Sequence, residues 1–185
     1  NIISAPFGFS WNESSSSMRT SGLIQDCERS EELPVISFCK ISTAPKHFSK
    51  ADYFMLYFTE GSGLQKLNMV GKNITADAYG TAGKTQYNKL KDSLSNKYGP
   101  PSDTFESTGR RLYDERDEFY QCLRYDGCGS HQSFWIEGME GTISLQLEGL
   151  SRGVGFIQLT YESPNWGPLL DQIRAGKDES DTDAL

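Results

Sequence analysis

Histidine is the side chain that could most readily act as a general base in this sequence, which contains His47 and His131. Ser130 precedes His131 directly and Ser133 follows two positions later, so a serine nucleophile beside an imidazole would be the chemistry to look for. The sequence lacks the Gly-x-Ser-x-Gly turn that presents the serine of many hydrolases. We therefore expect His131 to be a surface-loop residue, and we predict that the protein is not an enzyme.

Two other segments contain residue types used in catalysis or ligand binding. The run Asp114–Glu118 has four carboxylates, the groups that glycosidases and metal sites use. Arg110, Arg111 and Arg116 lie among them, so we interpret the run as a solvated, charge-paired helix face. The run Gly80–Thr85 lacks the spacing of a phosphate loop and lies inside a helical pattern. We expect no cofactor and no bound metal.

The four cysteines form two local pairs, Cys27 with Cys39 and Cys122 with Cys128. Four cysteines allow three connectivities, and we predict these two local disulfides because short loops close easily. Structural zinc is the alternative, but it usually requires closer spacing, and neither histidine lies at a suitable position. Disulfides indicate an oxidising compartment, so we expect a periplasmic or secreted protein. A chain that begins at Asn1 fits either a mature exported protein or a trimmed one.

The second cysteine pair frames the stretch that is best suited to binding. Tyr125 and Asp126 lie between the two cysteines, and His131, Phe134 and Trp135 follow them. A bridged loop with aromatic side chains loses little entropy on binding, so we predict that these five residues contact a partner protein. In the alternative interpretation, Phe134 and Trp135 are ordinary core residues and the disulfide only stabilises a small domain.

The net charge of −7 is unevenly distributed along the chain. Residues 1–100 carry 11 Lys/Arg against 9 Asp/Glu, whereas residues 101–185 carry 7 against 16. The acidic second part would repel nucleic acid and anionic lipid and would favour a basic protein partner. The alternative is that the charge only maintains solubility. No stretch approaches the roughly 20 apolar residues of a membrane-spanning helix.

A long helix is predicted from Thr75 to Tyr98. Its apolar face consists of residues spaced by three and four, namely Ala76, Gly80, Gly83, Tyr87, Leu90, Leu94 and Tyr98. Thr75 or Asp77 would cap its first turn, and Gly99 followed by two prolines would end it. The two glycines of the apolar face lack side chains and therefore permit close packing.

The strands that follow from the sequence pattern form two groups of three. They are predicted at 35–42, 53–59, 64–70, 132–137, 142–148 and 154–161. Short connections imply antiparallel pairing, and the helices would pack on one face of the sheet. We predict an α+β fold, an antiparallel β-meander with two similar αβββ halves at 1–74 and 75–165. A short helix and an acidic tail would follow at 166–185, and the halves would form either one domain or two.

The remaining segments have weaker patterns. We expect a short helix over 13–20 and loops at 23–34 and 99–108. Residues 111–125 are predicted as a helix, with a strand in their second half as the alternative. A short terminal helix would be followed by a frayed tail over 177–185.

Three short motifs resemble those of a known group of proteins. The opening Phe7–Trp11 (FGFSW), followed by a predicted helix, resembles the start of small exported bacterial proteins of unknown function with a Phe-Gly-x-x-Trp segment. The motifs Asp77–Gly80 and Lys97–Pro100 resemble the same group. The helix with three strands is similar to the outer-membrane assembly lipoprotein of the SmpA/BamE type. The resemblance implies an exported α+β protein and carries over no functional residue.

These features predict a non-enzymatic exported protein that binds another protein in the bacterial envelope. An inhibitor or immunity-type protein for a basic enzyme is the form that the acidic charge favours. An envelope assembly or structural factor of the SmpA type is the alternative, and a hydrolase that uses carboxylates with His131 ranks last. A deep pocket that joins His131 to at least two carboxylates would favour the hydrolase. A convex acidic patch at 125–130 would favour the inhibitor, and a long exposed sheet face or edge the assembly factor.

Overall fold

An antiparallel sheet of eight strands is the main element of the computed structural model, which describes residues 1–184. Its strands are β1 (Cys27–Arg29), β2 (Ile36–Ile41), β3 (Ala51–Thr59), β4 (Gly63–Gly71), β5 (Asp103–Ser107), β6 (Ser130–Trp135), β7 (Thr142–Ser151) and β8 (Val154–Glu162). The α-helices of the described residues are α1 (Ser15–Thr20), α2 (Thr81–Tyr98), α3 (Phe119–Arg124) and α4 (Trp166–Asp183). A 3₁₀ turn, Arg116–Glu118, leads into α3.

The strand order is β1-β2-β3-β4-β8-β7-β6-β5, and each neighbouring pair is antiparallel. The chain therefore forms two meanders whose last strands, β4 and β8, pair at the centre of the sheet. The predicted α+β class with an antiparallel meander is confirmed. Each meander has four strands rather than three, because the edge strands β1 and β5 lie in segments that we predicted as loops.

The two faces of the sheet differ in what covers them. On one face, here called the core face, buried apolar side chains form a single cluster with Met18 of α1, Tyr87 of α2 and Tyr120 of α3. The strands contribute to it through alternate residues, as Ile143 and Leu145 do in β7. The intervening side chains are half-buried on the opposite face, here called the open face. Helices α1, α2 and α3 thus pack on one face, as predicted.

The long helix α2 begins at Thr81, later than the predicted start at Thr75. Ala76 has a positive φ of 51° and Gly80 a positive φ of 72°. Both are left-handed conformations that a right-handed helix cannot include. The spacing of apolar residues by three and four therefore starts before the first helical residue.

Asp77 nevertheless caps this helix from just outside it. Its carboxylate oxygens accept hydrogen bonds from the amides of Ala82 at 3.0 Å and Gly83 at 2.9 Å. Tyr120 Oη donates to the same carboxylate at 2.7 Å. Burial would raise the pKa of Asp77, but the hydrogen bonds from Tyr120 and from the amides lower it below its ordinary value. Asp77 therefore joins α2 to α3.

The α3 helix lies in a space that glycines leave open. A Cβ atom added at Gly83 would lie 2.1 Å from Tyr120 Oη, and one at Gly149 would lie 1.9 Å from the Tyr120 carbonyl oxygen. Gly155, which is paired with Gly149 across β7 and β8, makes room for the Tyr120 ring in the same way. Tyr120 is consequently fully buried, and α3 rests directly on the backbone of the sheet.

The predicted helix over 111–125 is wrong in its first part. Regular α-helix starts at Phe119, and Tyr113 has a positive φ of 62° that an α-helix excludes. Glu115 and Glu118 form a reciprocal capping box at the intervening 3₁₀ turn, which fixes this late start. The strand alternative is also wrong.

The predicted frayed tail is wrong as well, because α4 continues to Asp183. Arg174 and Asp178 are opposite charges one turn apart, a spacing that favours the helix. Leu185, the last residue of the predicted tail, lies outside the described residues.

The first turns of α4 cover one corner of the open face. The Trp166 ring meets the Tyr57 ring with centroids 6.2 Å apart and packs with Leu33 and Ile36. The later turns of α4 are exposed. None of the helices in residues 1–184 combines the length and the apolar character needed to cross a bilayer.

Candidate functional site

Both predicted disulfides are present. Cys27 and Cys39 lie opposite each other on β1 and β2, and Cys122 of α3 is bonded to Cys128, which precedes β6. The second bond closes the surface segment 122–128, here called the disulfide loop. Across residues 1–184 every cysteine is bonded.

The five residues predicted to bind a partner do not form one surface. Tyr125 and Asp126 are exposed on the disulfide loop. His131 points to the core face and Phe134 to the open face, because they occupy positions of opposite parity in β6. Trp135 is buried, with 1% of its surface exposed, and its indole N–H donates to a backbone carbonyl at 2.9 Å. The structure supports the alternative in which Trp135 is a core residue.

His131 lies in β6 among aromatic rings rather than in the predicted surface loop. Its ring centroid is 4.4 Å from that of Tyr87 and 5.9 Å from that of Phe119. Its Nε2 atom is buried without a hydrogen-bond partner among the described residues. Burial lowers the pKa of His131, although the negative charge of Glu106 opposes this shift. A neutral imidazole therefore packs here against the rings.

Ser133, the nucleophile suggested by its position near His131, is fully buried. Its Oγ shares a hydrogen bond with Tyr87 Oη at 2.5 Å and another with Thr104 Oγ1 at 3.3 Å. Burial raises the pKa of Tyr87 above its ordinary value, so the phenol stays protonated. The partners of this serine are hydroxyl groups, and the three side chains form an internal polar network.

Three of the four carboxylates of Asp114–Glu118 have structural partners. Asp117 forms an ion pair with Arg152, and Glu115 and Glu118 make the capping box before α3. In the part of the chain that the structure describes, no three His, Cys, Asp or Glu side chains come together as a metal site would require. The run serves the local structure around α3.

A cavity of about 270 Å³ lies beside the disulfide loop, between α3 and the β7–β8 turn. It is lined by Tyr113, Gln121, Arg124, Tyr125, Leu150 and Ser151, and we call it the loop pocket. The rings of Tyr113 and Tyr125 meet edge to face with centroids 5.9 Å apart. Two aromatic rings and the side chain of Leu150 thus line the pocket.

Two polar side chains complete the loop pocket. Arg124 Nη1 donates to the carbonyl of Leu150 at 2.5 Å, which ties α3 to the turn. Gln121 Oε1 is buried and accepts no hydrogen bond from the described residues. A buried acceptor without a donor costs about 1–3 kcal/mol, and this oxygen is closed to solvent.

Large apolar side chains are exposed around the loop pocket. Leu112 has 56% of its surface exposed, Tyr125 46% and Leu150 36%. Tyr125 and Leu150 line the pocket, and Leu112 precedes Tyr113, which lines it as well. Exposed apolar side chains at a cavity are typical of interaction sites. We refer to these residues together with the loop pocket as the loop patch.

The charge around the loop patch is nearly balanced. Residues 108–130 contain four arginines and five carboxylates. The acidic excess lies partly in α4, which has five carboxylates and two basic residues. The segment that carries the disulfide loop therefore has little net charge of its own.

The open face is a second candidate surface. Its central side chains are uncharged and polar: Asn68, Gln132, Ser144, Gln146, Gln158 and Thr160. Four of them bond in pairs, Thr160 with Asn68 and Gln146 Nε2 with Gln132 Oε1 at 3.2 Å. A surface of uncharged polar groups could contact a partner through hydrogen bonds.

Sequence reasoning identified Tyr125 and missed Tyr113, Gln121 and Leu150. These residues lie far apart in the chain and meet because α3 rests on the β7–β8 hairpin. Leu150 carried a usable signal, since it is a large apolar residue in a predicted turn. Gln121 carried none, because nothing in the sequence shows that its amide is buried.

Comparisons of the chain with protein-family models, with curated proteins and with solved structures found no match. The functional assignment therefore depends on the geometry of the sites described above.

Proposed function

We propose that this protein is a non-enzymatic, exported protein-binding domain that recognises its partner through the loop patch. The observation that carries the proposal is the exposure of Tyr125 and Leu150, which line a cavity beside a disulfide-closed segment, with the exposed Leu112 next to Tyr113 of the same cavity. Binding energy in protein interfaces is concentrated in a few aromatic and apolar contacts at such positions. The two disulfides support export, because such bonds persist in oxidising compartments.

Rigidity also supports recognition at this place. The disulfide loop is fixed at both ends, Tyr120 anchors α3 in the sheet, and Arg124 ties α3 to the β7–β8 turn. A surface that is ordered before binding loses less conformational entropy when the partner arrives. The loop patch is therefore better prepared for binding than an equally apolar flexible loop.

The expected partner is a protein with an apolar contact region rather than a strongly basic one. The nearly balanced charge of residues 108–130 gives little local attraction for cations. The net charge of −7 acts at longer range and would affect mainly the association rate. We therefore expect binding that persists at high salt, which differs from the inhibitor of a basic enzyme that the sequence favoured.

The open face supports a second candidate function, an envelope assembly factor of the SmpA type. Helices leave most of that face uncovered, and its centre offers uncharged amide and hydroxyl groups. The partner in this case would be an envelope protein with an uncharged polar surface. Contacts would then centre on residues such as Tyr53 and Gln158 rather than on the loop patch.

Photo-crosslinking in envelope extract tests the two surfaces against each other. The photoreactive residue p-benzoylphenylalanine is placed at position 125 in the loop patch, at 53 on the open face, or at 35 as an exposed control. We expect one adduct from position 125 at both low and high salt. It should disappear when Leu150→Asp is added and persist with Val35→Asp, since Val35 has a similar exposure of 39%.

The other outcomes are equally informative. An adduct from position 53 without one from position 125 would replace the loop patch by the open face. The absence of an adduct from position 125, or its release by salt alone, would overturn the proposal.

A further inference from the structure

We propose that the centre of the open face binds an uncharged oligosaccharide chain, which lies across strands β6, β7, β8 and β4. This site is separate from the loop patch and goes beyond the proposed function. It follows from three properties of the face: the register that aligns its polar side chains, the hydrogen-bonding atoms that these side chains leave free, and the apolar residues at both ends.

The register of the sheet arranges the central polar side chains in two rows. Residues paired across neighbouring antiparallel strands lie side by side on one face, and the strands are about 4.8 Å apart. The first row consists of Gln132, Gln146 and Gln158, and the second of Ser144, Thr160 and Asn68. These six neutral amide and hydroxyl groups form one continuous surface across four strands, here called the polar band.

Several hydrogen-bonding atoms of the polar band are unused and accessible. Within residues 1–184, the side chains of Gln158 and Ser144 make no hydrogen bond, and the bond between Gln132 and Gln146 leaves one amide atom of each free. None of these atoms belongs to the unpartnered side-chain atoms of residues 1–184 that are closed to solvent, so a ligand can reach them from outside. An amide offers a donor and an acceptor, which is what a sugar hydroxyl needs.

Apolar side chains lie at both ends of the polar band. Phe134 continues the second row on β6, and the Phe105 ring of the edge strand lies beside it at a centroid distance of 6.2 Å. At the other end the rows continue to Val70, Tyr53 and Met55. Four strand spacings, about 19 Å, separate Phe134 from Met55, which accommodates several sugar rings in a chain. The apolar C–H faces of the end sugars can pack on these side chains.

This arrangement is the reverse of a protein–protein interface. Such interfaces have an apolar centre and a polar rim, whereas the open face has a polar centre and apolar ends. A protein that covered the polar band would have to pair each free amide and hydroxyl or leave it buried without a partner, which costs free energy. A chain of sugar hydroxyls supplies partners along its whole length. An oligosaccharide therefore fits this face better than a protein does.

The charge on the open face favours a neutral ligand. The six groups of the polar band are uncharged, so neither an anion nor a cation gains an ion pair there. In the next row Lys66 and Glu162 form an ion pair at 3.1 Å and compensate each other. Glu148 follows Gln146 by two positions on β7 and would repel an anionic chain, as would the net charge of −7. Its carboxylate can instead accept hydrogen bonds from sugar hydroxyls.

Titrations with defined sugars test this inference. Chitohexaose, an uncharged chain of β-linked N-acetylglucosamine, is added to the whole protein and followed by backbone amide NMR. We expect saturable shifts in β4, β7 and β8 with a Kd of about 1 mM, because the site is shallow and each contact contributes little. N-acetylglucosamine alone should bind at least about tenfold more weakly, since it reaches only part of the polar band. Oligogalacturonate of the same length, an anionic chain, should give no saturable shifts.

Two variants with matched controls assign the binding to the open face. Gln158→Ala removes a free amide from the polar band and should weaken chitohexaose binding about fivefold, the effect of one hydrogen bond. Gln172→Ala changes an exposed amide of α4 and should leave the Kd unchanged. Phe134→Ala removes the ring at one end and should weaken binding by a similar factor. Tyr79→Ala, at a position outside the sheet with 59% of its surface exposed, should have no effect.

Absence of chitohexaose binding would overturn the inference, as would shifts outside the open face or equally tight binding of the anionic chain. A protein adduct from position 53 without sugar binding would assign the face to a protein instead. These outcomes are separate from the proposed function, which depends on the adduct from position 125. If chitohexaose binds as expected but that adduct does not form, the oligosaccharide site stands and the proposed function fails.

Discussion

The first half of the chain, 1–74, and the second half, 75–165, share a plan and differ in one insertion. Each has a helix, a four-stranded meander and a disulfide. In the first half a short loop of residues 30–35 connects the outermost strand to the next one. In the second half the same connection runs through 108–129 and contains the 3₁₀ turn, α3 and the disulfide loop.

This difference locates the candidate function. The bond between Cys27 and Cys39 joins two paired strands and therefore stabilises an edge of the sheet. The bond between Cys122 and Cys128 joins no strands; it holds the inserted loop in place. All residues of the loop patch except Leu150 and Ser151 thus lie in the insertion that the first half lacks. We expect changes to the two halves to separate stability from binding.

Removing a large buried side chain from either half should have the largest effect. Tyr120→Ala and Phe54→Ala should each lower the free energy of unfolding by about 4 kcal/mol, because both leave cavities in the core. Urea unfolding measures this loss. Without urea, where both variants are folded, Tyr120→Ala should no longer give the crosslinked adduct from position 125, whereas Phe54→Ala should give it normally. An adduct that survives Tyr120→Ala would show that the seat of α3 is not needed for the loop patch.

Removal of the two disulfides should also separate stability from binding, with smaller losses in the free energy of unfolding. The Cys27–Cys39 bond spans 12 residues and the Cys122–Cys128 bond spans 6. Chain entropy gives about 3 kcal/mol for the first and about 2 kcal/mol for the second. Double Cys→Ala variants of each pair, compared by urea unfolding, should show this order. The crosslinked adduct from position 125 should instead be weakened more by loss of the second bond than by loss of the first. A variant without the second bond that still forms this adduct fully would contradict the role given to the disulfide loop.

The carboxylate of Asp77 should contribute less and in a pH-dependent way. Asp77→Asn weakens the cap of α2 and the bond from Tyr120, with an expected loss of about 1–2 kcal/mol. Since the folded-state pKa is lowered, this contribution is present above the unfolded pKa of about 3.9 and is lost as the pH falls through the folded value. The difference in the free energy of unfolding between the two proteins should therefore be smaller at pH 3 than at pH 6. Asp92→Asn, an exposed change on the same helix, is the control.

His131 should give the smallest effect, limited to a narrow pH range. Its lowered pKa means that the unfolded chain binds a proton before the folded protein does, so stability falls as the pH falls from 7 towards 5. His131→Phe keeps a ring against Tyr87 and Phe119 and should flatten thermal stability over that range. His47→Phe, at an exposed position, should leave the slope unchanged. An unchanged slope in His131→Phe would show that this histidine is protonated alike in both states.

The sequence predicted the strands that are buried on one face and missed those at the edges. Ile143, Leu145 and Leu147 alternate because one side of β7 meets the core, and that pattern is visible without a structure. The edge strands β1 and β5 are short and largely exposed, so their positions follow from pairing with a neighbour and not from their own composition. Local disulfides were predictable for the opposite reason, since closeness in sequence was enough.

The candidate site was predictable only in part because it is assembled from distant segments. Tyr125 was found from its place between two cysteines. Tyr113 adopts a left-handed conformation that no local preference indicated, and Gln121 became important through burial. Trp135 shows the converse limit: a large aromatic residue beside a surface loop can belong entirely to the core.

The central pairing of β4 with β8 has a consequence for how the chain is made. Asn68 on β4 bonds to Thr160 on β8, 92 residues later, so synthesis exposes the first meander long before its neighbour exists. During that interval β4 presents an unpaired edge, the feature through which unrelated strands associate. A nascent chain shorter than this span should bind chaperones strongly, and release should coincide with the emergence of β8 from the ribosome.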